Sequence, residues 1–138
     1  MIVIKNIFSA VLEWRCDGRG SYLWNPKDES GHLSYYDAKD YCASHKSRLA
    51  VIYDSDYNAL VSSMYGTTGT RNTWINVYKQ KDWKTNTGDE LTYENFGYEG
   101  NNYCAYTNFN GKYGLWASNE DCTKKLNFVC QYIPGGKS

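Results

Sequence analysis

No stretch of this 138-residue chain approaches the ~20 consecutive apolar residues needed to cross a bilayer. Net charge is absent as well. Fifteen Lys plus Arg balance fifteen Asp plus Glu, so no general field draws the chain to nucleic acid or to an anionic membrane surface. Histidine is scarce, with only His32 and His45. The cysteines, at 16, 42, 104, 122 and 130, include no Cys-x-x-Cys pair, which speaks against a zinc site. No internal repeat or low-complexity linker is present, and the length suits one domain with its own core but not two. Catalytic signals are missing too. Neither histidine stands in a context that suggests a nucleophile pair. The closing Gly135-Gly136-Lys137-Ser138 imitates the end of a phosphate-binding loop, but Gln131 stands where its first glycine is required, so no enzyme is expected.

What the chain does have is tyrosine and cysteine. Fourteen Tyr and five Trp against four Phe provide many rings that pack on one edge and hydrogen-bond on another. Five cysteines in a chain this short imply disulfides and an oxidising, extracellular setting. A bond between Cys42 and Cys130 would close a loop of 88 residues and one between Cys104 and Cys122 a loop of 18. On the chain-entropy account these are worth roughly 4.5 and 3 kcal/mol, although four cysteines allow three pairings. On those two pairings Cys16 would be left over, either as a free buried thiol or as the link of a disulfide-bonded homodimer.

The opening Met1-Ile2-Val3-Ile4-Lys5 carries its lysine inside the apolar run and is followed by no clear cleavage site, so it reads as folded chain rather than as a signal peptide. Residues 1–20 are expected to form an extension that adds one strand, residues 21–133 the domain, and residues 134–138 a flexible tail. Two amphipathic helices follow from the pattern. In the first, Ser34 caps, Asp37 reaches back to it, and Ala38, Tyr41, Cys42 and His45 share a face. In the second, Asp54 or Ser55 caps, Tyr57, Leu60, Val61 and Met64 recur at helical spacing, and Gly66 ends the run. Three strands are expected at "TWINVY", "YCAYTN" and "LNFVCQY", the last with Leu126, Phe128 and Cys130 on one face. Between the first two lies a polar stretch, residues 79–102, which reads as one long functional loop.

Across the end of that stretch, "NFGYEGNNYC" (residues 95–104) crowds one carboxylate, three carboxamides and three rings beside a cysteine. The motifs around it, taken in order, resemble the C-type lectin-like family over residues 21–132. They are "SYLWN", "YYDAKDYCASHKSRLAVI", "WINV", "WKTNTGDELTYENF", "LWASNEDC" and "FVC". The resemblance implies an α+β fold, with two helices packed on two small antiparallel sheets. It also implies a long loop region carrying the ligand site and nested disulfides Cys42–Cys130 and Cys104–Cys122. Calcium-dependent sugar-binding members carry Glu-Pro-Asn or Gln-Pro-Asp in that loop and Trp-Asn-Asp after the third cysteine. Glu99-Gly100-Asn101 stands at the first motif, and Trp116-Ala117-Ser118 at the second, with Asn119, Glu120 and Asp121 displaced toward Cys122.

Calcium takes six to eight hard oxygens, so Glu99, Asn101, Asn119 and Asp121 are the metal set the resemblance implies. Glycine in place of the motif's proline leaves that set less pre-organised. The competing reading is a turn, because Gly and Asn favour turns for backbone reasons. For ligand contact the candidates are Glu99, Asn101, Asn102, Tyr98 and Tyr103. Tyr93, Tyr106 and Tyr113 are further surface rings. Trp74, Trp83, Trp116 and Phe96 are expected in the core or as loop anchors, and His45 at the carboxyl end of its helix. The expectation is therefore a non-enzymatic extracellular recognition module that binds a glycan, with or without calcium. The alternative is a calcium-independent protein binder with no sugar site. A third class reuses the scaffold for toxin-like, ice-binding or mineral-binding work.

Overall fold

The two helices form where capping chemistry and periodicity coincide. Helix α1 runs Tyr35–Ser44, and the Ser34 hydroxyl accepts from the Asp37 N–H at 3.1 Å. Helix α2 runs Ser55–Ser62, and of the two candidate caps it is Asp54 whose carboxylate accepts from the Tyr57 N–H at 2.8 Å. Each cap satisfies an amide that the first helical turn leaves without a partner. Ala38 and Cys42 of α1, and Tyr57 and Val61 of α2 with Met64 beyond it, are buried as expected, while Leu60 is half-buried. His45 follows α1, its ring Nδ1 2.9 Å from the Tyr41 carbonyl.

This computed structural model describes residues 2–7, 10–16, 21–26, 32–65 and 71–133, with the backbone alone for 2–7, 10–16 and Pro26. Gly66, the tail 134–138 and the side chain of Cys16 lie outside the described residues. The N-terminal segment contributes two strands where one was expected: β1 (Ile2–Ile7) and β2 (Ala10–Cys16), paired antiparallel. They extend an antiparallel sheet whose order is β1-β2-β3-β11-β4, with β3 at Tyr22–Pro26, β4 at Arg48–Leu49 and β11 at Cys130–Tyr132.

The second sheet is built on β5 (Thr73–Gln80), β6 (Asp82–Lys84), β7 (Phe96–Tyr98), β8 (Cys104–Thr107), β9 (Trp116–Ala117) and β10 (Asn127–Phe128). Its order is β10-β5-β8-β9-β7, with β6 folded back on β5. The pairs β5·β6, β5·β8 and β8·β9 are antiparallel, whereas β10·β5 and β7·β9 are parallel, so this sheet is mixed rather than wholly antiparallel. Parallel partners need a crossover. For β7 and β9 the intervening chain supplies it by first laying down β8.

Both faces of β5 and of the closing strands are covered, whereas for the last strand only the face of Leu126, Phe128 and Cys130 was expected to be buried. Trp74, Phe128 and Cys130 join one cluster with Trp24, Tyr35 and Leu49, while Ile75, Val77 and Val129 join another with Leu23, Val61 and Trp116. The nested disulfides are those the resemblance implied, Cys42–Cys130 and Cys104–Cys122.

Residues 79–102 do not form one long loop. Lys81 takes a positive φ of 75° and turns the chain from β5 into β6. Lys84 then bridges Glu90, and β7 follows. Side chains explain the order. Trp83 packs on Phe96 at 4.8 Å between ring centroids and carries the Lys79 ammonium 5.4 Å above its ring, so rings embedded in a polar sequence organise the segment.

Candidate functional site

The segment 99–102 is held down on the end of β9. The Ser118 N–H donates to the Tyr98 carbonyl at 3.1 Å, the Gly100 N–H to the Ser118 hydroxyl at 2.8 Å, and the Asn102 N–H to the Ser118 carbonyl at 3.2 Å. Ser118 is fully buried. Counting forward from Trp116, it stands where the family motif carries its aspartate, and here it works as a tie for the opposite turn.

Gly100 fits for a reason that composition does not reveal. A Cβ built on it would lie 2.8 Å from both the Asn119 Cα and the Ser118 carbonyl oxygen, closer than real Cβ atoms come. Proline is excluded twice, since it adds bulk at this contact and removes the N–H that Ser118 accepts. Gly100→Ala is therefore expected to lift the turn from β9 at a cost of about 1–3 kcal/mol. Thermal melting would read that loss, together with faster amide exchange at residues 100 and 102. An unchanged exchange rate would remove the close-approach argument.

Of the implied metal set, Asn119 and one oxygen of Asp121 are already engaged. The Asn119 Oδ1 accepts from the Tyr106 hydroxyl at 2.5 Å. The Asp121 Oδ1 accepts from the Thr123 N–H at 2.8 Å and the Thr123 hydroxyl at 2.7 Å. These donors, the backbone N–H foremost, hold the Asp121 carboxyl below its ordinary range. A calcium ion recruiting these oxygens would displace an O–H from one and two donors from the other. Glu99 and Asn101 are exposed, and their side chains make no hydrogen bond or ion pair among the described residues. The described residues contain no group of three or more His, Cys, Asp or Glu placed to hold a metal.

Tyrosines border this turn on two sides. Tyr98, on β7, stacks on Phe109 at 5.8 Å and 25°. Tyr103 tilts against Tyr78 of β5 at 6.2 Å, and Tyr78 stacks on Tyr35 at 5.5 Å and 22°. Tyr36 leads into this group from α1, its ring edge-on to Tyr35 at 6.0 Å. The Tyr78 hydroxyl first, then burial, then the nearby Asp121 and Tyr103, push the Tyr36 phenol above its ordinary range. Tyr35, almost wholly buried, is pushed up mainly by burial.

Tyr106 is a correction. It was expected at the surface, but it is 2 % exposed against Trp74, and burial, with the Glu120 charge second, raises its phenol to about 12. In a β-strand, alternation sends neighbours to opposite faces, and in β8 both faces are covered. Tyr93 is half-buried against the second core cluster, whereas Tyr113 is exposed. Trp74 and Trp116 are fully buried, and Trp83 and Phe96 pack against the second cluster as anchors. Sequence reasoning overlooked Tyr36 and Tyr78. The usable signal for Tyr36 was the doublet Tyr35-Tyr36 at the start of a helix, where consecutive residues cannot share one face.

The similarities to known proteins agree with this architecture. The Lectin C-type domain family matches residues 31–132. No curated protein is detectably similar in sequence. Among solved structures, the Ca2+-independent C-type lectin SPL-2 from Saxidomus purpuratus has a TM-score of 0.73 at 22 % identity, covering 88 % of this chain and 92 % of that one. Human lithostathine has a TM-score of 0.72 at 21 % identity, covering 87 % and 88 %. The carbohydrate-recognition domain of mouse scavenger receptor C-type lectin has a TM-score of 0.70 at 20 % identity, covering 87 % and 95 %. At such identities the likeness concerns the fold alone. The family match takes in both helices, both disulfides and the turn pinned to Ser118, and on that ground the chain belongs to the C-type lectin domain family.

Proposed function

We propose that this domain is a non-enzymatic extracellular recognition module that binds a protein ligand without calcium, through the tyrosine-lined surface around residues 98–103. The observation that carries the reading is the ring surface left open there: Tyr103 is 58 % exposed, Tyr98 49 % and Tyr36 45 %. Tyrosine is favoured where proteins meet because it offers rigid, amphipathic area at low entropic cost. The donors on Asn119 and Asp121, and the close seat of Gly100, support a calcium-free mode. Two disulfides support an oxidising setting.

A calcium titration and a cell-binding assay test this together. A site with a millimolar Kd, at 10 mM calcium, would add about 1.4 kcal/mol of stability and raise Tm by about 5 °C. No heat and no rise are expected. A fluorescent multimer of the domain is expected to bind its target cells equally with and without chelator, to survive enzymatic deglycosylation of the cells, and to lose binding on Tyr103→Ser. Binding that requires calcium or intact glycans would overturn the reading.

A second reading is favoured by one observation, the unengaged side chains of Glu99 and Asn101 beside the Tyr98 ring. Such groups can hydrogen-bond sugar hydroxyls directly. On a glycan array, chelator-insensitive binding to a defined sugar that disappears with Glu99→Gln would replace the protein ligand by a glycan.

A further inference from the structure

Tyr36, Tyr78 and Tyr103 come from α1, β5 and the chain just before β8, and the fold joins them around one disulfide. Tyr78 is in register with Cys104, so Tyr103 lies beside it, and the Lys79 N–H donates to the Tyr103 carbonyl at 2.8 Å. Cys104 is bonded to Cys122, so Tyr103 and Asp121 each adjoin one half of the same disulfide, and the Tyr36 phenol feels both. The Tyr35 N–H donates to the Cys122 carbonyl at 2.9 Å, which fixes the start of α1, and hence Tyr36, against the same point. We infer that this face, three tyrosine rings with the Asp121 carboxylate at their edge, receives an arginine side chain presented by the protein partner. The inference rests on the proposed role of this surface in ligand binding and specifies the chemistry of the ligand.

Ring faces carry partial negative charge and attract cations. Here Tyr36 and Tyr103 are exposed and Tyr78 is half-buried between the Tyr35 and Tyr103 rings, so what the face offers outward is ring surface. Asp121 is exposed, is kept ionised by its Thr123 donors, and makes no ion pair among the described residues. Its neighbour Glu120 differs, being 3.7 Å from the Lys124 ammonium. Two cations near the face among the described residues are engaged elsewhere, Lys124 with Glu120 and Lys79 with a ring of β6. Lys79, next to Tyr78, points the other way onto Trp83. A guanidinium suits the face better than an ammonium, because its plane can lie on a tyrosine ring while its edge N–H groups reach a carboxylate.

The test is NMR titration of the 15N-labelled domain with the blocked peptide acetyl-Gly-Gly-Arg-Gly-Gly-amide. Parallel titrations use the same peptide with citrulline, a neutral isostere, and tetramethylammonium chloride as a free cation. The arginine peptide is expected to shift the signals of residues 36, 78, 103 and 121 with a low-millimolar Kd, and the citrulline peptide to bind at least about fivefold more weakly. Tyr103→Leu and Asp121→Asn, both at exposed positions, should each weaken the arginine peptide about threefold, while Tyr113→Leu should leave it unchanged. Equal binding of the citrulline peptide, shifts centred elsewhere, or no shifts at about 20 mM would overturn the inference. Tetramethylammonium binding as tightly as the arginine peptide would also overturn it, by assigning the face to a quaternary ammonium. If cell binding stays insensitive to chelator and dependent on Tyr103 while the peptide produces no shifts, the arginine assignment alone fails.

Discussion

Replacing Cys42 and Cys130 together by alanine is expected to lower the unfolding free energy by roughly 4.5 kcal/mol and Tm by about 15–20 °C. The bond closes 88 residues of chain and joins α1 to β11. Without it the denatured ensemble regains the conformations that the cross-link removed. A further term acts in the folded state. Both cysteines are fully buried in the cluster formed by Trp24, Leu49 and Phe128, so truncation also leaves a small cavity. Calorimetric melting of the double variant measures the sum, and a fall below about 5 °C would show that the denatured chain is already compact without the bond. The bond between Cys104 and Cys122, closing 18 residues, is worth roughly 3 kcal/mol on the same account. Its removal is expected to be felt most at Tyr103 and Asp121, which adjoin its two cysteines.

Truncating Trp116 to alanine should cost about 3–5 kcal/mol from lost packing, and about 1–3 kcal/mol more from the hydrogen bond it leaves unmade. Trp116 is fully buried, with the Tyr93 and Phe96 rings edge-on at 5.9 and 5.6 Å. Its indole N–H donates to the Asn58 carboxamide at 2.8 Å, and the same side chain donates to the Gly114 carbonyl at 2.8 Å. Asn95 also donates to that carbonyl, at 2.7 Å, and the Trp116 N–H to the Asn95 carbonyl at 2.9 Å. One side chain thus couples α2, the 108–115 turn and the strand leading to the site. Trp116→Phe separates the contributions, since it keeps most of the ring volume and deletes the donor. The expected order of melting temperatures is wild type, Trp116→Phe, Trp116→Ala. Amide protection at residues 98–102 should fall in the alanine variant, and unaltered protection there would show that the ligand turn does not depend on this anchor.

How much of this was legible varied with the range of the interaction. The caps Ser34 and Asp54 and the buried faces of the helices were readable because each involves residues three or four apart. The strand at Trp74 and Ile75 was readable from its β-branched and aromatic run, though not that both of its faces would be covered. The segment 79–102 was misjudged because its polar composition hid the contact between Trp83 and Phe96 that orders it. Tyr106 was misplaced because an isolated tyrosine does not reveal that Trp74 will lie against it.

The sequence by itself determined the family, the two disulfides that its cysteine order implies through that family, the two helices, and the place in the chain where a ligand turn would lie. Such features depend on order and short spacing, which the chain carries along its own length. Only the tertiary structure decided what that turn is like. Ser118, eighteen residues beyond Gly100, accepts its N–H. Tyr106, thirteen residues before Asn119, donates to the oxygen that a metal would use. A bonded cysteine pair adjoins Tyr103 and Asp121, and the Tyr36 phenol of α1 feels both. Whether an oxygen stays available to a ligand or is engaged by a donor depends on which distant groups packing brings within hydrogen-bond reach, and no local pattern records that.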